Sequence, residues 1–273
     1  MKLGLFTYGY MRYPLDYAFR DAARFGYDGV EIWGGRPYAY PYDLKKVGVS
    51  QIKELSDEYE MPIIGYTPEM NMYPYNMMIG TESVRKDCIE YLKNAMDIAV
   101  QLDAGFTLIS AGHAGYTVSR KTIWERLLKN LRELVIYAEE VGMDLVLEPL
   151  THYESNVIVS CNDLVEALDL VGSPRLVGMC DVVPPFCLKE PIMSYFDKLG
   201  DRMRHIHLVD SDGQSDTHMM PGDGKIPLRE LLREIETRSY DGYCTIELVS
   251  AYIHEPTLGS ELAMKRVKEL INS

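Results

Sequence analysis

The feature that most constrains this chain is an alternation. Eight short apolar runs occur along it, and each is followed by a longer segment with helical periodicity. The runs fall at 3–8, 29–33, 62–67, 106–111, 144–150, 176–182, 204–210 and 243–249. The helical segments fall near 15–25, 49–60, 83–102, 121–141, 161–171, 191–201, 227–238 and 258–272. The strand runs are almost continuously apolar, as strands of a parallel sheet covered on both faces must be. Eight strand–helix units in 273 residues match a (β/α)8 barrel, which typically needs about 250. The expected fold is therefore one α/β TIM-barrel domain spanning residues 1–273. An open doubly wound sheet is the alternative. No Gly-x-Gly-x-x-Gly turn follows an early strand, which leaves its dinucleotide-binding version without support.

Local punctuation agrees with the alternation. Gly26, Gly142 and Gly172 stand where helices should stop, and Pro191 and Pro227 where helices should start. Asn162 and Asp163 read as a cap region before the helix beginning near 161. Ile123, Leu127, Leu131, Leu134 and Ala138 form an apolar stripe at steps of three and four.

Charge and cysteine content narrow the function classes. The formal net charge is −13, which argues against nucleic acid and against an anionic membrane surface as partners. A neutral or cationic small molecule is compatible with it. The cysteines (Cys88, Cys161, Cys180, Cys187 and Cys244) are odd in number and contain no Cys-x-x-Cys pair, so reduced core thiols are expected. The first residues have too short an apolar run for a signal peptide, and no stretch of about 18 apolar residues occurs. A cytoplasmic location is expected.

In a barrel of this kind, function belongs on the C-terminal strand ends and the loops that follow them. Charged residues stand there. The fifth run reads Leu145-Val146-Leu147-Glu148, the sixth ends in Cys180-Asp181, the seventh contains His205-Ile206-His207, and the eighth reads Cys244-Thr245-Ile246-Glu247. A lone buried carboxylate is costly unless paired or bound to a metal. Four polar groups at similar depth on consecutive strands, Glu148, Asp181, His207 and Glu247, can converge on one point. Three carboxylates and one imidazole suit one divalent ion such as Mn, Co, Ni, Zn or Fe. His205 is assigned to the strand face opposite His207, toward the helices, and read as structural.

The set Leu147-Glu148-Pro149, Asp181, His207-Leu208-Val209-Asp210 and Ile246-Glu247 resembles the xylose-isomerase-like superfamily of sugar epimerases and isomerases. The resemblance covers the whole chain. Longer strings are similar to the branch that epimerises fructoselysine: Gly26-Tyr27-Asp28-Gly29-Val30-Glu31-Ile32-Trp33-Gly34-Gly35-Arg36-Pro37, then Pro62 through Glu69, Tyr73 through Met78, and Met193 through Asp201. The resemblance implies a sugar derivative as substrate, inversion at C3 to give psicoselysine, the four metal ligands above, and Glu148 and Glu247 as the acid/base pair. A base on each face of the reacting carbon is the minimal design for such an inversion, which passes through an enediolate.

Weaker expectations follow for substrate contacts. Glu154 lies six residues after Glu148, the spacing at which ketose 3-epimerases place a substrate-contacting Glu; a surface carboxylate is the alternative. His113 sits among small residues that allow close ligand approach, or else caps its loop. Asp216 and His218 are similar to an Asp-x-His of endonuclease IV that binds further zinc ions; a substrate contact and a plain polar loop are the other options. Trp33 reads as a pocket wall. So do Tyr66 and other tyrosines of the first three loops (Tyr8, Tyr10, Tyr13, Tyr38, Tyr40, Tyr42, Tyr73 and Tyr75), although packing would explain them as well. Two positions depart from the simple ketose 3-epimerase pattern: Pro184 replaces a His and Gly213 an Arg. The sugar is therefore expected to be held differently. A ketose–aldose isomerase, a DNA-repair nuclease and a non-catalytic sugar-binding barrel are the competing readings. A homo-oligomer is compatible with the resemblance.

Overall fold

All eight apolar runs form strands, and the strands close into one parallel barrel in sequence order, with β1 hydrogen-bonded to β8. The structure is a computed structural model that describes residues 1–70 and 75–272; Tyr73 lies outside the described residues. The elements alternate as β1 Lys2–Phe6, α1 Asp16–Phe25, β2 Gly29–Gly34, α2 Pro41–Val47, α3 Ser50–Glu58, β3 Ile63–Pro68, α4 Glu82–Gln101, β4 Thr107–Ser110, α5 Arg120–Val141, β5 Leu145–Glu148, α6 Cys161–Val171, β6 Leu176–Asp181, α7 Val183–Leu188, α8 Ser194–Leu199, β7 Met203–Leu208, α9 Leu228–Thr237, β8 Tyr243–Ile246 and α10 Pro256–Ile271. Every strand pair is parallel, as strand–helix–strand connections require.

The helices form where the stripes and caps place them. On α5, Leu127, Leu131, Leu134 and Ala138 are fully buried against the barrel. Burial of each leucine contributes about 1.5–3 kcal/mol. Gly26, Gly142 and Gly172 end α1, α5 and α6 in the left-handed conformation. The cap of α6 is Ser160, slightly earlier than the sequence suggests. Ser160 Oγ accepts from the Asp163 backbone N–H at 3.2 Å and donates to Asp163 Oδ2 at 2.8 Å, so Asp163 is the far side of a reciprocal cap.

Two short helices were not legible in the pattern. α2 follows the Tyr-rich loop after β2, and α7 starts at Val183-Pro184-Pro185, where proline is tolerated because the first turn has no N–H partners to lose. Several strands are shorter than their apolar runs. β5 ends at Glu148 and β8 at Ile246, because the next residues leave the ladder to form the loops at the barrel mouth. Inside the barrel, Phe106, Leu108, Val146 and Met179 pack as a separate apolar plug. The remaining core lies between strands and helices. The plug closes the barrel below the polar residues, so the charged groups above it face only the C-terminal mouth.

Candidate active site

Inward-facing residues recur every second position along a strand. The residues above the plug are thereby set: Glu148 stands two beyond Val146, Asp181 two beyond Met179, and His207 two beyond His205. A cavity of about 310 Å³ opens there, lined by Phe6, Trp33, Ser110, Glu148, His207 and Glu247 among others. Glu154, Asp216 and His218 also line it. Asp181 is buried just behind them.

The four expected ligands come together through the two imidazoles. Glu148 Oε1 lies 3.0 Å and Glu247 Oε2 3.1 Å from His207 Nδ1. Glu247 Oε2 is also 3.3 Å from His218 Nδ1, and His218 Nε2 is 3.9 Å from Asp181 Oδ2. His218 thus stands between Asp181 and Glu247 and joins the group as a fifth candidate donor. The second oxygen of Asp181 accepts from the Val183 backbone N–H at 2.9 Å, which fixes the carboxylate. Asp181, His218 and Glu247 each offer an atom within 4.8 Å of the others.

The donor set fits a divalent metal. His207 Nδ1 and Glu247 Oε2 are buried, lie within ion-pair range, and have no hydrogen bond of acceptable geometry. Buried polar atoms are normally satisfied, so two such atoms aimed into one acidic cavity point to a cation as their partner.

The electrostatics follow from burying several acids together. Burial pushes Asp181 up to about 7 against the pull of His218, with Glu247 and Glu148 adding to the rise. Burial pushes Glu154 up to about 8, reinforced by Asp216 and Glu148. Burial also raises Glu148, partly offset by His207. For His218, burial works downward, but Glu247, Asp181 and Asp216 together carry it up to about 9. Burial alone would raise Glu247, yet the two imidazoles beside it hold it below the usual carboxylate range. A divalent ion here would take over the role of these protons, favouring ionised carboxylates and neutral imidazoles.

Several expectations need correction. His205 does not face the helices. It lies two residues from His207 on β7 and therefore shares its face: its ring packs 4.6 Å from Phe106 of the plug, and its Nε2 is 2.8 Å from Glu31 Oε2. Tyr66 does not wall the cavity; it is wholly buried and donates to the Ala39 carbonyl at 2.5 Å. His113 also stands apart from the cavity. Its Nδ1 accepts from the Gly115 N–H at 2.9 Å and its carbonyl accepts from Asn76, so it stabilises its own loop. Gly112 and Gly115 serve that loop through their positive φ of 71° and 77° rather than by admitting a ligand. Of the named tyrosines that are described, Tyr8 lines the cavity. Tyr10 is buried against Asp21 and Ser260, and Tyr40, Tyr42 and Tyr75 pack with Tyr91 in a ring cluster.

Two carboxylates escaped the sequence reading. Glu69 lines the cavity and accepts from Trp33 Nε1 at 2.8 Å. Glu31 is fully buried in β2 between His205 and His207. An acid flanked by Val30 and Ile32 inside an apolar strand is the same signal that marks Glu148, but it lies mid-strand, where attention to strand ends misses it.

Residues 19–270 match the family described as the xylose isomerase-like TIM barrel. The chain is 58% identical over 271 residues to a fructoselysine 3-epimerase of Escherichia coli O157:H7, covering 99% of this chain and 98% of that one. It is 57% identical over 271 residues to the fructoselysine 3-epimerase of Shigella flexneri, with the same shares covered. Among solved structures it superimposes on the apo form of a 3-keto-D-glucoside 4-epimerase from E. coli with a TM-score of 0.83, at 16% identity, over 98% of this chain and 99% of that one. At that identity the likeness speaks to the fold alone. Among the described residues, no helix is long and apolar enough to cross a membrane.

Proposed function

The chain belongs to the xylose isomerase-like TIM-barrel family, and from that premise we propose that it is a divalent-metal-dependent sugar 3-epimerase interconverting fructoselysine and psicoselysine. One observation carries the chemistry: Glu148 from β5 and Glu247 just past β8, on strands apart in the barrel, both reach the same nitrogen of His207, at 3.0 and 3.1 Å. Two carboxylates that straddle one centre can address both faces of a carbon held over it. The substrate follows from the full-length relatives named for fructoselysine. The cavity supports it, since Glu69, Glu148, Glu154, Asp216 and Glu247 line it and no Lys or Arg does among the described residues. Such a lining favours a cationic ketosamine over a neutral ketose.

Glu148, Asp181, His207 and Glu247 hold one metal ion in this reading. When bound, that ion supplies Lewis-acid polarisation of the ketone, worth several kcal/mol. The protein does the rest. One glutamate takes the proton from C3, giving the enediolate, and the other returns a proton to the opposite face. The reverse reaction exchanges their roles. Glu154, Asp216 and His218 hydrogen-bond the sugar hydroxyls, and Trp33, fixed by Glu69, walls the cavity beside them. His218 brings a second imidazole to the site, 3.3 Å from Glu247 Oε2, while Pro184 lies buried in α7.

The test is proton NMR of fructoselysine in D2O with the metal-loaded protein. Deuterium entering at C3 as psicoselysine appears supports the proposal. Exchange at C1 would make the protein a ketose–aldose isomerase, and absence of exchange with each of Mn, Co, Ni, Zn and Fe would overturn the assignment.

A further inference from the structure

We propose that Glu31 is a positioning residue that fixes the tautomer and the orientation of His207, and so leaves Nδ1 as the nitrogen offered to the metal. The inference rests on the reading of His207 as a metal ligand.

Glu31 is an acid with no solvent exposure in the middle of β2. Burying an unpaired carboxylate there would be strongly unfavourable. Its ion-pair partners among the described residues are two imidazoles, with no Lys or Arg. Oε1 lies 3.2 Å from His207 Nε2, and Oε2 lies 2.8 Å from His205 Nε2. Thr67 Oγ1 donates to Oε1 at 2.6 Å from the neighbouring strand. Three donors from β3 and β7 thus hold the carboxylate in one orientation.

The consequence falls on His207. A neutral imidazole carries one N–H and one lone pair, and the partner of one nitrogen decides the state of the other. Nδ1 also faces carboxylates, those of Glu148 and Glu247, so without a cation both nitrogens would be held as N–H; with a cation at Nδ1 the ring's one remaining proton would sit on Nε2, where Glu31 accepts it. The Phe6 ring, 5.7 Å from the His207 ring, limits its rotation on the cavity side. Metal-bound histidines commonly give their second N–H to a carboxylate in this way, and loss of that partner weakens metal binding roughly 10–100-fold. Glu31, His205 and His207 also offer three atoms within 4.8 Å of one another. We assign them no ion of their own, because neither Glu31 nor His205 lines the cavity through which an ion would enter.

The experiment titrates metal-free protein with Zn²⁺ by calorimetry at fixed pH, comparing wild type with Glu31→Gln, with circular dichroism to verify folding. One equivalent bound by wild type and an affinity lower by roughly 10–100-fold in the variant is the expected result. Should the variant fail to fold, long-range ¹H–¹⁵N NMR of the Zn²⁺-loaded wild type, labelled at histidine, decides the question. The expected spectrum has His207 protonated at Nε2 and metal-bound at Nδ1. Metal binding through Nε2, or equal affinity in wild type and variant, overturns the role of Glu31. Two equivalents in wild type falling to one in Glu31→Gln also overturns it, by making Glu31 a ligand. A wild type that binds no divalent metal sinks the metal site itself and this inference with it.

Discussion

Replacing the two glutamates one at a time should split the reaction into halves. In Glu247→Gln the side chain keeps its shape where Oε2 stood, 3.1 Å from His207 Nδ1 and 3.3 Å from His218 Nδ1, but it loses the ability to take a proton. Glu148 is untouched on the other side. A positioned general base contributes about 10²–10⁴ in rate, or roughly 2.7–5.4 kcal/mol of barrier, so epimerisation should fall by that factor. Exchange should not fall for both sugars. Glu148 can still remove the C3 proton from the one epimer that presents it, and the proton on that carboxylate trades with solvent before it returns to the same face. That epimer takes up deuterium without inverting, while the other is inert. Glu148→Gln should show the mirror image, with the epimers exchanged. Under the proposed reading each variant also lacks one candidate metal donor, so the assay is run at saturating metal with occupancy measured by elemental analysis. Each epimer is incubated separately in D2O and followed by loss of its C3 proton signal. If the two metal-loaded variants exchange the same epimer, or both exchange both, the two-base reasoning is wrong.

Further outcomes follow from the same geometry. Asp181, Glu154 and His218 are raised in the metal-free protein to about 7, about 8 and about 9, above their ordinary values of 3.8, 4.5 and 6.5. Groups raised in the folded state favour folding at low pH and lose that contribution as pH climbs through the raised value. The contribution of each is lost between its ordinary and its raised value, so their part of the metal-free stability should decline from about pH 4 to about pH 9, while metal affinity and the metal-induced rise in Tm grow over the same window, as protons leave the site; scanning calorimetry with and without Mn²⁺ would show it, and a metal effect independent of pH would count against this site. Burial pushes the Cys88 and Cys244 thiols up to about 12, so native protein should leave them unreactive to a disulfide reagent at pH 8, with all five cysteines reacting once the chain is unfolded. Gly65→Ala should destabilise by roughly 1–3 kcal/mol, because the added carbon would stand 2.3 Å from the Phe106 ring in the barrel plug; an unchanged urea midpoint would refute that packing. Arg36→Ala, on the exposed ion pair with Asp43, should leave the same midpoint essentially unchanged.

Strand–helix alternation, helix ends marked by glycine, and the apolar stripe of α5 were open to reading because they depend on neighbours a few residues apart. The barrel followed from them, and an acid that ends an apolar strand stands out wherever the strand goes, which is why Glu148, Asp181 and Glu247, with His207, could be named as candidates from the sequence. What only the folded chain decided is which side chains meet. Tyr66 resembles a pocket aromatic in sequence, yet the β3 ladder turns it into the packing beneath Ala39. His113 resembles a site residue, yet its ring is occupied by its own loop. His218 came from a loop with no periodicity to place it, and reached Glu247 only because β8 ends where it does. Glu31 shows the limit most clearly. It lies 174 positions from His205 and 176 from His207, and β2 and β7 are not neighbours in the barrel. The carboxylate meets the two imidazoles because barrel closure points all three side chains into one interior. Local pattern reports a residue's own strand and face; contacts across the lumen depend on the registers of every strand in between, and those are set by packing the whole barrel at once.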